Sequence, residues 1–260
     1  MKCNNILLNK EDGIGFITIN RPKQLNALDR PTVEELSQAI DLVTADDEIK
    51  VIILTGAGDK AFVAGGDITF LKSLTPIKAR EFAAFGHAVL RKIESIPKPV
   101  IAAINGFCLG GGCELAMACD FSIASTKAKF GQPEVTLGVT AGFGGTQRLP
   151  RLIGLGMARQ LLYTGDTIDA GEAVRIGLVN AVVPDNELMN YVINIAKRII
   201  AKGQMAVRFS KAAINNGMQT DIDRAMTIEA DIFGLCFSTE DQKEGMNAFI
   251  EKRAPQFKEK

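Results

Sequence analysis

The chain has 260 residues, of which 47% are hydrophobic and 23% are charged, and its 30 lysines and arginines equal its 30 aspartates and glutamates in number. This composition excludes a disordered chain, and the even charge excludes a broad basic surface for nucleic acid. No apolar run reaches the about 20 residues of a membrane span. Five cysteines without a C-x-x-C pair, and a start without a signal peptide, predict a cytoplasmic protein with buried free thiols.

Buried strands and amphipathic helices alternate through the first half of the chain. Residues 15–20 alternate as a strand, and 50–55 and 99–105 are continuous apolar runs typical of strands covered on both faces. The spacing of apolar residues predicts one helix after Pro31 and another over 76–96. This alternation indicates an α/β core with parallel strand pairing.

The strand signal ends near residue 185. Apolar residues at helical spacing predict helices over 188–199, 221–235 and 239–253. A turn is predicted at 215–217, where two asparagines precede a glycine. We therefore expect a core over residues 1–200 and a helical C-terminal region over residues 201–260.

Two common functional sites, a dinucleotide site and a nucleophilic triad, are not supported by the residues that they require. The G-x-G-x-x-A at 56–61 follows a strand, as a dinucleotide fingerprint would, but it does not open a helix and Lys78 stands where the acidic residue belongs. A nucleophilic triad needs a base and an elbow motif, whereas the sequence has no G-x-S-x-G and a single histidine, His87. If the protein is an acid/base enzyme, carboxylates must therefore transfer the protons.

Three glycine-rich segments carry the candidate carboxylates and free amides. Gly110, Gly111 and Gly112 stand between a strand and a short helix that holds Glu114, and a glycine-rich loop entering a helix presents free N–H groups. The segments 64–67 and 130–134 end in Asp67 and Glu134. Each alone also fits a plain structural role: a surface glutamate, a capped turn or a loop residue. Together they provide two amides for one oxyanion and two carboxylates for proton transfer.

Longer segments resemble the enoyl-CoA hydratase (crotonase) family, and they extend nearly from end to end. They are NRPKQLNAL (20–28), AFVAGGDI (61–68), KPVIAAINGFCLGGGCELAMACD (98–120), FGQPEVTLG (130–138), GFGGTQRLPRLIG (142–154) and FSTEDQKEGMNAFIEKR (237–253). The resemblance implies an α/β fold, a spiral of ββα units with a C-terminal helical region. It also implies homo-oligomers, either trimers or dimers of trimers.

The resemblance assigns roles to individual residues. It implies that the amides of Gly66 and Gly111 form an oxyanion hole, that Glu114 and Glu134 are catalytic, and that Gly142 positions the reacting water. The residues that it implies for CoA binding are Lys23, Ala27, Ala64, Gly65, Gly66, Asp67, Ile68, Phe233 and Lys252, the last two from a neighbouring subunit. Departures from the family pattern are Gly66 in place of alanine, Thr69 in place of lysine and Ala141 in place of proline.

The implied activity is the reversible syn addition of water to a short-chain trans-2-enoyl-CoA such as crotonyl-CoA, giving a 3-hydroxyacyl-CoA. CoA is then part of the substrate, and neither a cofactor nor a metal is expected. One alternative is an isomerase or another enolate-forming acyl-CoA enzyme of the same fold, although the presence of both glutamates favours the hydratase. A non-catalytic assembly or RNA-binding module is the other alternative, disfavoured by the even charge and by the absence of tryptophan.

Overall fold

The computed structural model describes residues 4–259, so Cys3 lies outside the described residues. The strands are β1 Ile6–Glu11, β2 Ile14–Ile19, β3 Val51–Gly56, β4 Ala61–Val63, β5 Val100–Ile104, β6 Phe107–Leu109, β7 Phe121–Ser125, β8 Lys129–Gly131, β9 Thr167–Asp169 and β10 Ala181–Val183. The helices are α1 Arg30–Ala45, α2 Ile68–Lys72, α3 Pro76–Ser95, α4 Gly111–Met117, α5 Gly145–Ile153, α6 Leu155–Thr164, α7 Ala170–Arg175, α8 Leu188–Ile200, α9 Gln204–Gly217, α10 Ile222–Cys236 and α11 Glu240–Ile250.

From β3 to β8, successive strands alternate between two sheets. The larger sheet has the order β1-β2-β3-β5-β7-β10, and the smaller one has the order β4-β6-β8-β9. Strands β3, β5 and β7 lie in the larger sheet, and each is followed by a short strand of the smaller sheet and then, after β4 and β6, by a helix. This arrangement confirms the spiral of ββα units with C-terminal helices. In the larger sheet every pair from β2 to β10 is parallel, as predicted, whereas β8 and β9 of the smaller sheet pair antiparallel.

The large sheet is covered on both faces. In β3, Ile52 and Leu54 pack in the same apolar cluster as α1 and α3, whereas Val51 and Ile53 pack in a second cluster with α8. The continuous apolar run over 50–55 is thus explained, because alternate residues of one strand face two apolar layers. This layering fixes β3 and β5, and each of them is followed by a short strand, β4 or β6, that leads into one of the two glycine segments.

The first strand was not predicted. Strand β1 pairs antiparallel with β2 through a hairpin in which Asp12 and Gly13 both have positive φ, 49° and 77°. An Asp-Gly pair between strands favours such a turn because glycine has no steric penalty there and aspartate tolerates this region. The short strands of the smaller sheet were missed as well, since three residues carry too little periodicity to be recognised.

The turn predicted at 215–217 is wrong. Helix α9 continues through Gly217, and the Asn215 side chain donates to the backbone carbonyl of Glu94 at 2.8 Å. This contact with α3 satisfies the polar side chain without ending the helix, so packing overrides the local turn preference. The other C-terminal helices begin and end close to the predicted residues.

Within residues 4–259, no helix has the length and apolar character needed to cross a membrane.

Candidate active site

Glu114 lies at the centre of the site, on the helix that follows the three glycines. It is in the first turn of α4, as predicted, but it is not a surface residue, because only 1% of it is exposed. Its Oε1 accepts hydrogen bonds from the amides of Phe143 and Gly145, at 2.8 and 2.6 Å. Within residues 4–259, Oε2 accepts no hydrogen bond, which leaves it available to a ligand.

The surroundings of Glu114 favour its protonated form. Burial raises the pKa of Glu114 to about 7, with a contribution of the same sign from the negative charge of Glu134, while the amides of Gly145 and Phe143 and the charge of Arg148 act against them. A carboxyl with this pKa exchanges protons readily near neutral pH, which is the property that a general acid or base requires.

Glu134 is the second acid, and a buried glutamine lies between the two. Glu134 is in a 3₁₀ turn, Pro133–Leu137, where burial raises its pKa. With its amide nitrogen toward Glu134, Gln132 donates to both carboxylate oxygens, at 2.9 and 3.1 Å. A methyl group added at Gly145 would lie 3.0 Å from both the Gln132 amide and Glu114 Oε1, so the glutamine side chain and the first acid are close neighbours.

The two predicted oxyanion-hole amides lie side by side. A methyl group added at Gly111 would come within 3.8 Å of the Gly66 nitrogen, and one added at Gly110 would lie 3.0 Å from Glu134 Oε1 and 3.7 Å from the Cα of Gly65. Among residues 4–259, neither Gly66 nor Gly111 donates its amide hydrogen to another group. Two free donors thus lie beside one of the two acids.

Each of the three consecutive glycines has a separate physical reason. Gly110 has φ +50°, a backbone region that side chains disfavour, and it stands against the Glu134 carboxyl. Gly111 provides a free amide at the start of α4. A methyl group on Gly112 would lie 2.0 Å from the carbonyl oxygen of Val63, so this glycine permits α4 to pack directly on β4. The backbone freedom of this segment therefore serves close approach to Glu134 and to β4.

Three site residues were missed from the sequence. The sequence assigns no role to Gln132 of the FGQPE segment, and it does not indicate that the amides of Phe143 and Gly145 bind Glu114. Gly142, expected to hold water, is half-buried, and within the described chain its amide has no partner. The two amides that bind Glu114 are 29 and 31 residues away from it in the sequence, so only the fold shows that these groups are in contact.

The residues expected to bind CoA fall into two groups. Lys23 is exposed in a 3₁₀ turn, and Ala27 is linked to the segment 64–68 by two backbone hydrogen bonds of its neighbour Leu28. Phe233 and Lys252 are separate from this group, on or next to helices α10 and α11, and α10 packs mainly against α9. The first group is therefore assembled within one chain, whereas Phe233 and Lys252 lie apart from it in the C-terminal region.

Among residues 4–259, no group of three or more histidine, cysteine, aspartate or glutamate side chains is arranged so that it could hold a metal ion.

Comparison with known proteins gives consistent results. A family profile described as "Enoyl-CoA hydratase/isomerase" matches residues 9–260. The "Crotonyl-CoA hydratase" of Syntrophomonas wolfei is 62% identical over 99% of both chains. The "Short-chain-enoyl-CoA hydratase" of Clostridium acetobutylicum is 56% identical over 97% of both chains.

Solved structures agree in the fold. A crystal structure of an enoyl-CoA hydratase from Bacillus anthracis superimposes with a TM-score of 0.96, at 42% identity, covering 99% of this chain and 100% of that one. A crystal structure from Geobacillus kaustophilus gives a TM-score of 0.97 at 40% identity, covering 100% and 98%.

Proposed function

Because this chain belongs to the enoyl-CoA hydratase/isomerase family, we infer that it is a hydro-lyase that reversibly adds water to short-chain enoyl-CoA thioesters such as crotonyl-CoA. The observation that carries this inference is the arrangement of two acids with raised pKa values near two amides that have no internal partner. Hydration needs these four groups, since charge develops on one oxygen while two protons move.

The amides act on the thioester oxygen. When water attacks the β-carbon, electron density moves to that oxygen and forms an enolate. The N–H groups of Gly66 and Gly111 would stabilise this charge where it develops, and one such donor typically contributes about 10²- to 10³-fold in rate.

The acids act on the water and on the α-carbon. Ionised Glu114 would take a proton from the attacking water through its free Oε2, because Oε1 is held by the amides of Phe143 and Gly145. Protonated Glu134 would deliver its proton to the α-carbon, and in dehydration the two roles reverse. Gly142 would help to hold the water through its amide.

Chemical requirements for this reaction are met by the protein and the thioester. Water is the nucleophile, the substrate carries its own CoA, and no electrons are exchanged with an acceptor. We therefore propose that the enzyme uses neither a cofactor nor a metal. The four described cysteines are free thiols, which supports the proposal of a cytoplasmic location.

The function is tested by following crotonyl-CoA hydration with the purified enzyme, with thioesters of about four to about sixteen acyl carbons compared by kcat/KM. We expect the short substrates to be preferred. A 3-enoyl-CoA tested in parallel separates hydration from isomerisation, because conjugation without water uptake would indicate an isomerase. Failure to hydrate any enoyl-CoA would refute the proposal.

The pH dependence of the rate should report Glu114. Because the base must be ionised, kcat/KM for hydration should fall by about tenfold per pH unit below pH about 7, the pKa of Glu114 in the folded protein. The measurement is kcat/KM between about pH 5 and about pH 9. If kcat/KM instead fell only below the ordinary glutamate pKa of 4.5, the assignment of Glu114 as the base would be contradicted.

We also propose that the chain forms a homotrimer or a dimer of trimers through its C-terminal region, residues 201–260. Helix α10 has no buried residue within the described chain, and apolar side chains are exposed along α10 and α11. They are Ile222, Met226, Phe233, Leu235, Met246, Phe249 and Ile250. Apolar patches of this kind are typical of subunit interfaces.

Replacing Phe249 with aspartate should dissociate the oligomer. This side chain is 85% exposed in the single chain, and a carboxylate buried at an interface is strongly unfavourable. KM for the thioester should also rise, because Phe233 and Lys252 are expected to bind CoA in a neighbouring subunit. Light scattering measures the mass, and Tyr163→Asp on α6, at a site 73% exposed, is the control. An unchanged mass for Phe249→Asp would contradict the prediction.

A further inference from the structure

A partly buried guanidinium, which the mechanism above does not use, links the segments that carry the first group of CoA contacts. The Arg21 side chain is 13% exposed, and its Nη2 lies 2.9 Å from Asp67 Oδ2 and 3.0 Å from Asp29 Oδ2. Its Nη1 donates to the backbone carbonyl of Ala27. One side chain therefore holds three groups, of which the farthest is 46 residues away in the sequence.

Asp67 uses both of its carboxylate oxygens. While Oδ2 faces Arg21, Oδ1 accepts from the amides of Thr69 and Phe70, at 3.0 and 3.3 Å, and so caps helix α2. Partial burial works to raise the pKa of Asp67, but the Arg21 guanidinium and the two amides outweigh it and lower the pKa. The carboxylate is therefore ionised at neutral pH and held from two sides.

These contacts bear on the Gly66 amide through the backbone. The Leu28 amide donates to the Gly65 carbonyl at 2.8 Å, and the Asp67 amide donates to the Leu28 carbonyl at 2.9 Å. The Gly65 carbonyl and the Gly66 N–H belong to one planar trans peptide unit, so fixing the carbonyl makes the N–H point the opposite way. The orientation of this donor depends on how the segments 27–29 and 65–67 lie against each other.

Arg21 is attached to both of those segments. It holds the first through the Ala27 carbonyl and Asp29, and the second through Asp67. A buried ion pair is by itself weak evidence of a contribution to stability, since desolvation offsets much of the attraction. The planar guanidinium of Arg21 does, however, fix the relative positions of the three acceptors that it binds, on Ala27, Asp29 and Asp67.

We propose that Arg21 is a positioning residue for the reaction, holding the Gly66 N–H in the orientation that the thioester oxygen requires. The inference rests on the proposed function, because it assumes that this amide binds the enolate oxygen. Arg21 does not touch the reacting atoms and acts through Asp67 and Ala27.

The test uses Arg21→Lys, Asp67→Asn and the double variant. Lysine keeps the charge but cannot reproduce the planar guanidinium, and asparagine keeps the shape of Asp67 without its charge. We expect each single variant to lower kcat for crotonyl-CoA hydration by about 10- to 10²-fold, less than the loss of a whole oxyanion donor. The double variant should be no slower than the slower single variant, because the two residues act as one unit.

A spectroscopic readout separates positioning from general destabilisation. Acetoacetyl-CoA is a β-keto thioester whose enolate absorbs in the ultraviolet. Its enolate fraction, measured at saturating acetoacetyl-CoA so that binding affinity does not enter, should fall in the Arg21 and Asp67 variants. Lys50→Gln is the matched control, since it removes the Lys50–Glu259 ion pair, whose side chains are similarly shielded at 20% and 27% exposure. It should lower Tm without changing kcat or the enolate fraction.

Several results would overturn the inference. Wild-type kcat in Arg21→Lys, or strictly multiplicative losses in the double variant, would show that Arg21 does not act on the amide through Asp67. If Arg21→Lys fails to fold, Asp67→Asn with wild-type kcat and enolate fraction overturns it equally. The proposed function fails separately, if the wild-type enzyme does not hydrate crotonyl-CoA.

Discussion

Replacing either Glu114 or Glu134 with glutamine should lower kcat for crotonyl-CoA hydration by about 10²- to 10⁴-fold, the contribution of a positioned acid or base. Glutamine has nearly the same shape, and its amide oxygen at position 114 can still accept from Phe143 and Gly145. It cannot exchange a proton, so the loss isolates the proton transfer from the packing. Because the two acids serve different steps of one reaction, neither variant should retain the wild-type rate.

The Glu114 variant should also be more stable than the wild-type protein. A folded-state pKa of about 7, raised from 4.5, means that stability is lost as pH rises between these values, because a buried carboxyl must ionise. At pH about 8 the neutral glutamine should therefore stabilise the fold by up to about 3 kcal/mol. At pH about 4, where both proteins carry a neutral side chain, the difference should vanish.

Two measurements decide this prediction: the hydration rate and Tm as a function of pH. An inactive variant with a lowered Tm at both pH values would indicate damage to the fold, and would not support a role in proton transfer. Glu172→Gln is a suitable control, since this glutamate is on α7 in an exposed pair with Arg175. It should leave kcat unchanged. Wild-type turnover in both site variants would remove the basis of the mechanism.

Local patterns were sufficient for the elements that carry the acids. The strand predicted over 99–105, the glycines after it and the composition of the next residues predicted α4 with Glu114 in its first turn, and β5 and α4 are observed there. The same reasoning could not decide between a surface and a buried glutamate. Burial depends on the loop at 143–145, which reaches Glu114 only because α5 packs against α4.

The other errors have different physical origins. The Asn215 turn failed because a tertiary contact with Glu94 satisfied the side chain inside a helix. Strand β1 was overlooked although Asp12 and Gly13 are a strong hairpin signal. Gln132 was given no role, because nothing in the segment 130–134 indicates that its side chain donates to the Glu134 carboxylate. Of these three, only the Asn215 contact is distant in sequence, since the hairpin and the pair of Gln132 with Glu134 are local.

Replacing Gly112 with alanine should damage both stability and activity. The added methyl group would lie 2.0 Å from the Val63 carbonyl oxygen and 2.8 Å from the Val63 carbonyl carbon. Alanine is favoured over glycine within a helix by about 1 kcal/mol, but overpacking against a rigid backbone typically costs about 1–3 kcal/mol. Because a strand carbonyl cannot turn aside like a flexible side chain, we expect net destabilisation and a lower Tm.

The effect on activity follows from what the two backbones carry. Helix α4 begins with Gly111, and Val63 on β4 is three residues before Gly66. Relief of the clash separates α4 from β4, and so moves the two amide donors apart. Loss of one donor typically lowers the rate by about 10²- to 10³-fold, and we expect kcat to fall in this range.

The control for Gly112→Ala is Gly156→Ala on α6, where an added methyl group would meet no atom within 4 Å. That variant should be slightly more stable than the wild type, with unchanged kcat. In folded Gly112→Ala the residual rate should keep its acid limb near pH 7, because the amides that hold Glu114 come from residues 143 and 145 and are not on β4. A lowered kcat with an unchanged acid limb of the pH profile would locate the damage at the oxyanion donors. A wild-type kcat would show that the contact between α4 and β4 does not set the geometry of these donors.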